Sequence, residues 1–422
     1  MKSFYLEGYG CSLNISETES IAGFLAINGF EKVSDFSRAD FVIINTCSVK
    51  QVTEQRMLSK IKLLFAQKKK SSKLIVFGCL ASAQHEMVAN INKEIIVLDT
   101  NLSSLCRALG IKEAEFSPIV PKIKLRELIS IIPASTGCLG SCTYCSARLA
   151  RKELHSYPKE SILRALENAL QGDNVNASSK EIWLTSQDLG CYGFDIGSSL
   201  PELVKALLRV NGNYRLRLGM MNPNHFIRIK EELMPLFNDK RLYKFLHLPV
   251  QSGSDKILRK MNRKYSVKDF IKCIKYAREC FPKITLSTDV IVGFPGETKK
   301  DFASTISLLK KIKPDIVNVS RYGKRQNTPA EKMAGQIPEK EKKRRSKVIS
   351  KIADVFFSQK NRNLAGKDVI CLVSERTRNG FNARTDEYTT VFVKKGFGKF
   401  VKARVLQVKA HYFVGEVVKE LE

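Results

Sequence analysis

The sequence has no apolar run that approaches the ~20 residues needed to cross a bilayer. Its first residues, MKSFYLEGYGCSLN, also lack an apolar segment before the glycines, so no secretory signal peptide is predicted. Both absences lead us to expect a cytoplasmic protein. Disulfides are rare in that reducing compartment, and eleven cysteines, an odd number, do not fit a fully paired framework. The cysteines are therefore expected to bind metal or to take part in catalysis.

Acidic residues are scarce relative to basic ones. The 422 residues include 42 Asp and Glu against 71 Lys and Arg, which gives a formal net charge of +29. A surplus of this size attracts polyanions, so nucleic acid is the first candidate partner and an anionic membrane surface the second. The alternative is a device for solubility or thermostability. Hydrophobic residues make up 43%, which excludes disorder as the dominant state, and the length suggests about three domains.

Residues 3–110 alternate short apolar strands with helices, which predicts a parallel sheet covered on both faces. Cys11, Cys47 and Cys79 each lie one or two residues beyond the end of a successive strand. Their spacings of 36 and 32 residues each correspond to about one strand–helix–strand unit. Ligands of such sheets bind outside the carboxyl ends of the strands, so three cysteines there can converge on one point. The alternative is three cysteines buried in the core.

Residues 128–325 contain six further strand–helix repeats, which predict a partial (βα)6 barrel. Polar or glycine-rich residues follow every predicted strand, at the mouth where βα barrels carry their active sites. The segments after the second to the sixth strand are Ser186-Gln187-Asp188, Asn222-Pro223-Asn224, Gln251-Ser252-Gly253, Gly293-Phe294-Pro295-Gly296-Glu297 and Ser320-Arg321-Tyr322-Gly323.

The segment after the first of these strands holds Cys138-x3-Cys142-x2-Cys145, with no fourth cysteine nearby. A structural zinc site normally closes with four protein ligands. Three cysteines instead satisfy three irons of a 4Fe-4S cluster and leave one iron open for an external ligand. This spacing after the first strand of a βα barrel is the signature of radical S-adenosylmethionine enzymes. The alternative is a loop that binds zinc or no metal.

The C-terminal part changes character. Residues 366–420 form short apolar runs separated by turns, which predicts a small five-stranded β-barrel. Residues 360–422 carry 13 Lys and Arg against 7 Asp and Glu. A charged helix precedes them at residues 338–360 and is either a solvated linker or an RNA contact.

The sequence resembles the radical S-adenosylmethionine tRNA methylthiotransferases over nearly its whole length, and its C-terminal module resembles the TRAM domain of that family. The matching stretches are YGCSLNISETE (Tyr9–Glu19), NTCSVK (Asn45–Lys50), GCLA (Gly78–Ala81), TGCLGSCTYCSARLAR (Thr136–Arg151), LTSQDLGCYG (Leu184–Gly193), GMMNP (Gly219–Pro223), HLPVQSGSDKIL (His247–Leu258), DVIVGFPGET (Asp289–Thr298) and SRYGKRQNTPA (Ser320–Ala330).

The resemblance is strongest to the archaeal and eukaryotic branch, which methylthiolates C2 of N6-threonylcarbamoyladenosine beside the tRNA anticodon. It implies an N-terminal domain at 1–112, a radical core at 125–355 and a TRAM domain at 360–422. It also implies two 4Fe-4S clusters, S-adenosylmethionine, tRNA, and an electron donor and a sulfur source that the sequence does not identify. The alternatives are action on isopentenyladenosine in tRNA, action on a ribosomal-protein aspartate, or a non-catalytic zinc-binding RNA-binding protein.

Roles for individual residues follow from the same resemblance. Cys11, Cys47 and Cys79 are expected to hold an auxiliary cluster, and Cys138, Cys142 and Cys145 the radical cluster. The residues expected to bind S-adenosylmethionine are Tyr144, Ser186, Gln187, Asp188, Gln251, Gly293 and Gly296. Those expected to bind RNA are Arg376, Arg378, Lys394, Lys395 and Lys399. One position departs from the family: Lys152 stands where glycine is usual, and glycine adopts backbone angles that lysine resists.

Overall fold

A computed structural model describes residues 1–48 and 51–421, and for residues 51 and 52 it describes the backbone alone. Val49 and Lys50, which end the NTCSVK stretch, and Glu422 lie outside the described residues. The chain divides into two compact units. One comprises residues 1–125, 131–165 and 323–332, and the other comprises residues 126–130, 166–322 and those from 333 onward. The predicted domains 1–112, 125–355 and 360–422 divide the chain differently and stay a prediction.

The first unit is built around a parallel sheet, as the apolar strands predict. Its strands are β1 (Ser3–Gly8), β2 (Glu31–Lys32), β3 (Phe41–Thr46), β4 (Lys73–Gly78) and β5 (Ile96–Val97). Its helices are α1 (Ser12–Ile27), α2 (Gln51–Gln67), α3 (Cys79–Ala83), α4 (His85–Ala89) and α5 (Leu102–Leu109). Among the described residues, the strand order is β2-β1-β3-β4-β5.

Both faces of this sheet are covered. Successive residues of a strand point to opposite faces. In β3, Ile43 packs into a core that includes Ile21 of α1 and Leu105 of α5. Its neighbour Val42 packs into a second core that includes Ile61 of α2. The prediction of a sheet buried on both sides is therefore confirmed.

Short elements complete the first unit. They are the end of β6 (Ile129–Pro133), β7 (Ser135–Thr136), α6 (Ala147–Ala150), β8 (His155–Ser156) and the beginning of α7 (Lys159–Gln171). Strands β7 and β8 pair in antiparallel fashion and flank the loop that carries the second group of cysteines. No helix in the described parts of the chain is long and apolar enough to cross a bilayer.

The second unit contains five parallel strands that follow one another in chain order. These are β9 (Glu181–Thr185), β10 (Arg215–Leu218), β11 (Phe245–His247), β12 (Thr285–Val292) and β13 (Ile316–Arg321). Strand β9 pairs with β10, and β12 pairs with both β11 and β13. The helices are α8 (Leu200–Leu207), α9 (Pro223–Leu233), α10 (Asp255–Lys260), α11 (Val267–Cys280), α12 (Lys299–Ile312) and α13 (Glu339–Asn361).

A closed β-barrel ends the chain. Its strands are β14 (Asp368–Thr377), β15 (Gly380–Thr385), β16 (Thr390–Val393), β17 (Phe400–Val408) and β18 (Phe413–Leu421). They close in the order β14-β15-β16-β18-β17 around small apolar side chains such as Val373, Ala383 and Val391. The predicted fold class, α/β with parallel sheets and a C-terminal all-β barrel, is confirmed.

Buried polar contacts fix this barrel to the strands of the second unit. The Ser374 hydroxyl donates to the carboxylate of Glu181, a residue with no exposed surface. Arg215 Nη2 lies 2.9 Å from Asp386 Oδ1. The ring of Tyr388 packs against Phe245 at 4.9 Å between centroids. These contacts join the β-barrel to strands β9, β10 and β11.

Candidate metal centre

Three cysteines meet at the carboxyl edge of the first sheet. The strand register pairs Gly8 with Asn45 and Thr46 with Gly78, so β1, β3 and β4 end side by side. Cys11, Cys47 and Cys79 follow these ends; we call them the first triad. The backbone of Gly10 lies directly against Cys47: a Cβ added there would be 2.6 Å from the Cys47 sulfur.

Asn14, which the sequence did not single out, ties the three loops together. Its Nδ2 donates to the carbonyl of Tyr9 at 2.6 Å and to that of Thr46 at 3.2 Å. Its Oδ1 lies 3.9 Å from the sulfur of Cys79. One buried amide thus holds the residues around every member of the first triad. In the sequence Asn14 was marked only by its position three residues after Cys11 and by its place in the YGCSLNISETE stretch.

The sulfurs of the first triad influence one another electrostatically. Cys47 and Cys79 are buried, whereas Cys11 retains exposed surface. Desolvation by the surrounding protein, with the neighbouring sulfurs of Cys79 and Cys47, raises the pKa of Cys11 to about 12. Its thiol is therefore protonated at neutral pH in the metal-free protein, and a bound metal must displace that proton.

Cys138, Cys142 and Cys145 form a second triad in the loop before α6. The N–H of Gly140 donates to the Cys138 sulfur at 3.1 Å. A Cβ added at Gly140 would lie 3.1 Å from that sulfur and 3.9 Å from the sulfur of Cys142. Desolvation, with Cys142 and Cys138, raises the pKa of Cys145 to about 11. The loop therefore places the sulfurs of Cys138 and Cys142 against Gly140, and both act electrostatically on the Cys145 thiol. Tyr144 lies half-buried between the last two.

The two triads are neighbours within the first unit. Ser146, which follows Cys145, donates its hydroxyl proton to the carbonyl of Ser48, which follows Cys47, at 2.8 Å. Helix α6, just after Cys145, packs on α3, which begins at Cys79. The structure therefore brings the segments that follow the two triads into contact.

A close backbone contact shapes the start of the second triad. Gly137 has φ +72°, and a Cβ added to it would lie 1.6 Å from the carbonyl oxygen of Glu153. The neighbouring Lys152 is exposed and is not in the positive-φ region, so lysine fits the backbone where the family usually has glycine. The restricted position is therefore Gly137.

We expect Gly137→Ala to lower the free energy of unfolding by at least about 3 kcal/mol, because left-handed strain and a backbone collision add together. Gly29→Ala is the matched control. Gly29 has φ +81° but nothing within 4 Å of an added Cβ. Gly29→Ala should therefore lower the free energy of unfolding by only about 1 kcal/mol. Urea denaturation measures both variants. Equal decreases in the free energy of unfolding of the two variants would show that the collision with Glu153 does not contribute to the destabilisation.

A distant segment supports the loop of the second triad. The N–H of Ala330 donates to the carbonyl of Thr143 at 2.9 Å. In the same segment, Nη1 of the buried Arg325 lies 3.5 Å from Oε2 of Glu54 on α2. Sequence reasoning matched this segment to the family through SRYGKRQNTPA but gave these residues no role.

The second unit carries the polar residues expected to bind S-adenosylmethionine. Ser186 Oγ, Gln187 Oε1 and Gln251 Oε1 are buried and have no hydrogen-bond partner among the described residues. Buried polar atoms are rarely left this way in proteins unless a water or ligand serves them. Gln251 also holds φ +66°, a strained value for glutamine. These three side chains therefore fit a polar ligand.

Asp188 differs from these neighbours because its carboxylate is already engaged. Oδ1 accepts from the N–H groups of Gly190 at 3.1 Å and Asn222 at 3.0 Å, and Oδ2 lies 2.7 Å from His225 Nδ1. Cys191 lies close enough to complete a possible ligand set, but its sulfur donates to the Asp188 carbonyl at 3.1 Å. These contacts favour a role in holding the loop, and the predicted role in cofactor binding stays a prediction.

The turn that contains Gly293 and Gly296 is held by α13. The N–H of Gly293 donates to Glu297 Oε2 at 2.6 Å. Arg345 of α13 donates to the Glu297 carbonyl at 3.0 Å and is ion-paired with its carboxylate. Both glycines have positive φ. The inner face of the predicted charged helix therefore shapes this turn.

The five residues expected to bind RNA are all exposed on the β-barrel: Arg376, Arg378, Lys394, Lys395 and Lys399. The Arg376 guanidinium lies 3.8 Å from the centroid of the Phe397 ring, which stacks on Phe381. Arg376 and Lys399 also make ion pairs, with Glu127 and Glu420. In the described chain no ion pair involves Arg378 or Lys395, so both cations are available to phosphate.

Two family profiles match the chain. The Radical SAM superfamily matches residues 132–309. A family described as uncharacterized protein family UPF0004 matches residues 3–99. The UPF0004 match includes the first triad, and the Radical SAM match includes the second triad.

Solved structures share the fold at low identity. The cobalamin-dependent S-adenosylmethionine radical enzyme OxsB superposes with a TM-score of 0.53 at 11% identity, over 85% of this chain and 56% of that one. The radical S-adenosylmethionine methyltransferase TsrM from Kitasatospora setae gives 0.52 at 13% identity, over 78% and 77%.

Curated relatives match nearly the whole chain. The probable threonylcarbamoyladenosine tRNA methylthiotransferase of Pyrococcus horikoshii is 36% identical over 99% of this chain and 100% of its own length. Its counterpart in Archaeoglobus fulgidus is 35% identical over 98% of each chain. The human threonylcarbamoyladenosine tRNA methylthiotransferase is 33% identical over 100% of this chain and 75% of its own. Because the match extends across both cysteine triads and the C-terminal barrel, this chain belongs to the threonylcarbamoyladenosine tRNA methylthiotransferase family.

Proposed function

We propose that this protein inserts a methylthio group at C2 of N6-threonylcarbamoyladenosine in tRNA, using S-adenosylmethionine and two 4Fe-4S clusters. The observation that carries the proposal is the gathering of six cysteines into two neighbouring triads. Each triad offers three ligands, one fewer than a closed structural zinc site uses. An iron left open in each cluster suits a catalyst that must bind external ligands.

Each triad has its own task in this proposal. Cys11, Cys47 and Cys79 hold the auxiliary cluster, and Cys138, Cys142 and Cys145 hold the radical cluster. When bound, these clusters and S-adenosylmethionine supply the one-electron and sulfur chemistry that no side chain provides. The protein contributes the placement of the sulfurs. The hydrogen bond from Ser146 to the Ser48 carbonyl joins the segments that follow Cys145 and Cys47.

The cofactor and the RNA are held by different surfaces. The unpartnered polar atoms of Ser186, Gln187 and Gln251 would pair with polar groups of S-adenosylmethionine. Exposed cations of the β-barrel, including Arg378 and Lys395, would contact the tRNA backbone, consistent with the net charge of +29. The cytoplasmic location stays a prediction from the sequence. The reaction also requires an electron donor and a sulfur source, which the sequence does not identify.

Nucleoside mass spectrometry tests the reaction. The protein is reconstituted anaerobically and incubated with S-adenosylmethionine, sulfide, a chemical reductant and tRNA from a host that lacks the corresponding gene. We expect the methylthio derivative of threonylcarbamoyladenosine, and no product from Cys142→Ala. Product on isopentenyladenosine, or on a ribosomal-protein aspartate supplied in parallel, would replace the proposed substrate. A colourless zinc protein without product would contradict the proposal as a whole.

A further inference from the structure

A buried ion pair lies beside the first triad. Arg151 Nη2 is 2.5 Å from Glu17 Oε2, and the two side chains are 6% and 4% exposed. Both residues belong to stretches that resemble the family, but neither has a role in the site described so far. Burying two charges has a large desolvation cost, and such a pair contributes little to stability by itself. Its position therefore points to a role other than stability.

Each member of this pair has a buried polar atom without a hydrogen-bond partner among the described residues. The guanidinium of Arg151 interacts with the sulfur of Cys79. Its Nε is buried and finds no acceptor in the described part of the chain, and Glu17 Oε1 is similarly left without a donor there. A buried donor without an acceptor is costly, and a sulfur-rich cluster on Cys79 would offer one.

Arg151 remains cationic in this position. An arginine guanidinium stays protonated in proteins, and the Glu17 carboxylate paired with it favours that charge despite the burial. The charge of Arg151 also acts on the thiol of Cys11. The fixed positive charge of Arg151 thus acts electrostatically on the sulfurs of Cys79 and Cys11.

The pair is built from segments that follow cysteines of both triads. Arg151 directly follows α6, six residues after Cys145, and Glu17 lies on α1, six residues after Cys11. Helix α6 packs on α3, whose first residue is Cys79. The segment that follows the second triad therefore places the Arg151 guanidinium beside the first triad.

We propose that Arg151 is a positioning residue that Glu17 holds against Cys79, and that it sets the reduction potential of the cluster on the first triad. The proposal rests on the function proposed above. Reduction adds negative charge to a cluster, so a nearby cation and N–H donors to its sulfurs favour the reduced form. The Glu17 carboxylate opposes reduction for the same electrostatic reason.

The test uses full-length protein in which Cys138, Cys142 and Cys145 are all changed to Ala, so that any remaining cluster belongs to the first triad. In this background we compare Arg151→Gln, Arg151→Lys and Glu17→Gln. Arg148→Gln is the matched control, because Arg148 lies on the same helix with an exposed side chain. Iron content is measured first, and the midpoint potential follows from a redox titration monitored by EPR.

We expect about four irons in the background protein. Arg151→Gln should shift the potential to more negative values and Glu17→Gln to more positive values. Arg151→Lys keeps the charge and should lie between Arg151→Gln and the background protein, whereas Arg148→Gln should leave the potential unchanged. A merely structural pair would not move the potential in opposite directions.

Two kinds of failure remain distinguishable. A background protein that binds no iron would contradict the proposed function. Intact iron with unchanged potentials, or shifts of the same sign in Arg151→Gln and Glu17→Gln, would overturn the role of Arg151 alone. Should Arg151→Gln lose its iron, Glu17→Gln and Arg151→Lys decide the matter. A positive shift in Glu17→Gln together with a negative shift in Arg151→Lys, both relative to the background protein, supports the role, and any other pattern overturns it.

Discussion

Anaerobic reconstitution is expected to load about eight irons per chain on the unaltered protein and about four on the Cys47→Ala variant. Cys47 is 4% exposed and lies against the backbone of Gly10, inside the first triad. Its removal leaves Cys11 and Cys79, and two thiols are too few to hold the auxiliary cluster. The second triad keeps all of its sulfurs, so the radical cluster should remain. Iron is measured colorimetrically against protein quantified by amino-acid analysis.

Cys106→Ala is the matched control for this loss. Cys106 is fully buried in α5 of the same unit, but its sequence neighbours offer no ligand spacing. We expect about eight irons and unchanged broad absorbance near ~400 nm. Eight irons on Cys47→Ala would remove the first triad from the proposal. Zinc in place of iron on the unaltered chain would favour the zinc-binding RNA-binding alternative.

Replacing Arg378, Lys394 and Lys395 with glutamine is expected to weaken tRNA binding roughly tenfold near 100 mM salt. The three side chains are exposed on the β-barrel. Each cation that no longer pairs with a phosphate reduces the slope of log affinity against log salt by about 0.7–0.9, so the slope should fall by about two. Filter binding or fluorescence anisotropy over a salt series measures both quantities.

The control replaces three exposed lysines of α11, Lys268, Lys272 and Lys275, with glutamine. This change removes the same net charge from a different surface. An equal loss of affinity in both variants would show that only total charge matters. Unchanged binding by the barrel variant would show that this surface does not anchor tRNA.

Point substitutions are a sharper test of RNA binding than deletion of residues 361–422. Deletion would remove Ser374, the hydrogen-bond donor to the fully buried Glu181, and Asp386, the partner of Arg215. Leaving a buried charge without its partner typically costs about 3–5 kcal/mol. A deleted protein that failed to bind tRNA would therefore report damage to the second unit as readily as loss of an RNA surface.

The sequence by itself determined the positions of the cysteines relative to the strands. The apolar runs Phe41–Thr46 and Lys73–Gly78 form β3 and β4 within the same bounds. Parallel strands joined by helices end at the same edge of their sheet. One cysteine per strand end therefore implied convergence. The sequence likewise determined that Cys138, Cys142 and Cys145 lie close together, because one loop of eight residues contains all three.

Tertiary structure alone decided which polar groups surround these sulfurs. Asn14 joins the loops of the first triad, and Arg151 is paired with Glu17 of α1. Ala330 donates to Thr143 in the loop of the second triad, 187 residues earlier in the chain. The contact of the Asp188 carboxylate with His225 was likewise not visible in the sequence, and the predicted role of Asp188 in cofactor binding stays a prediction. A polar side chain can pair with many groups, and its actual partner depends on long-range packing rather than on spacing along the chain. Periodicity and short spacing therefore located the sulfurs, while the charges and donors that act on them required the folded chain.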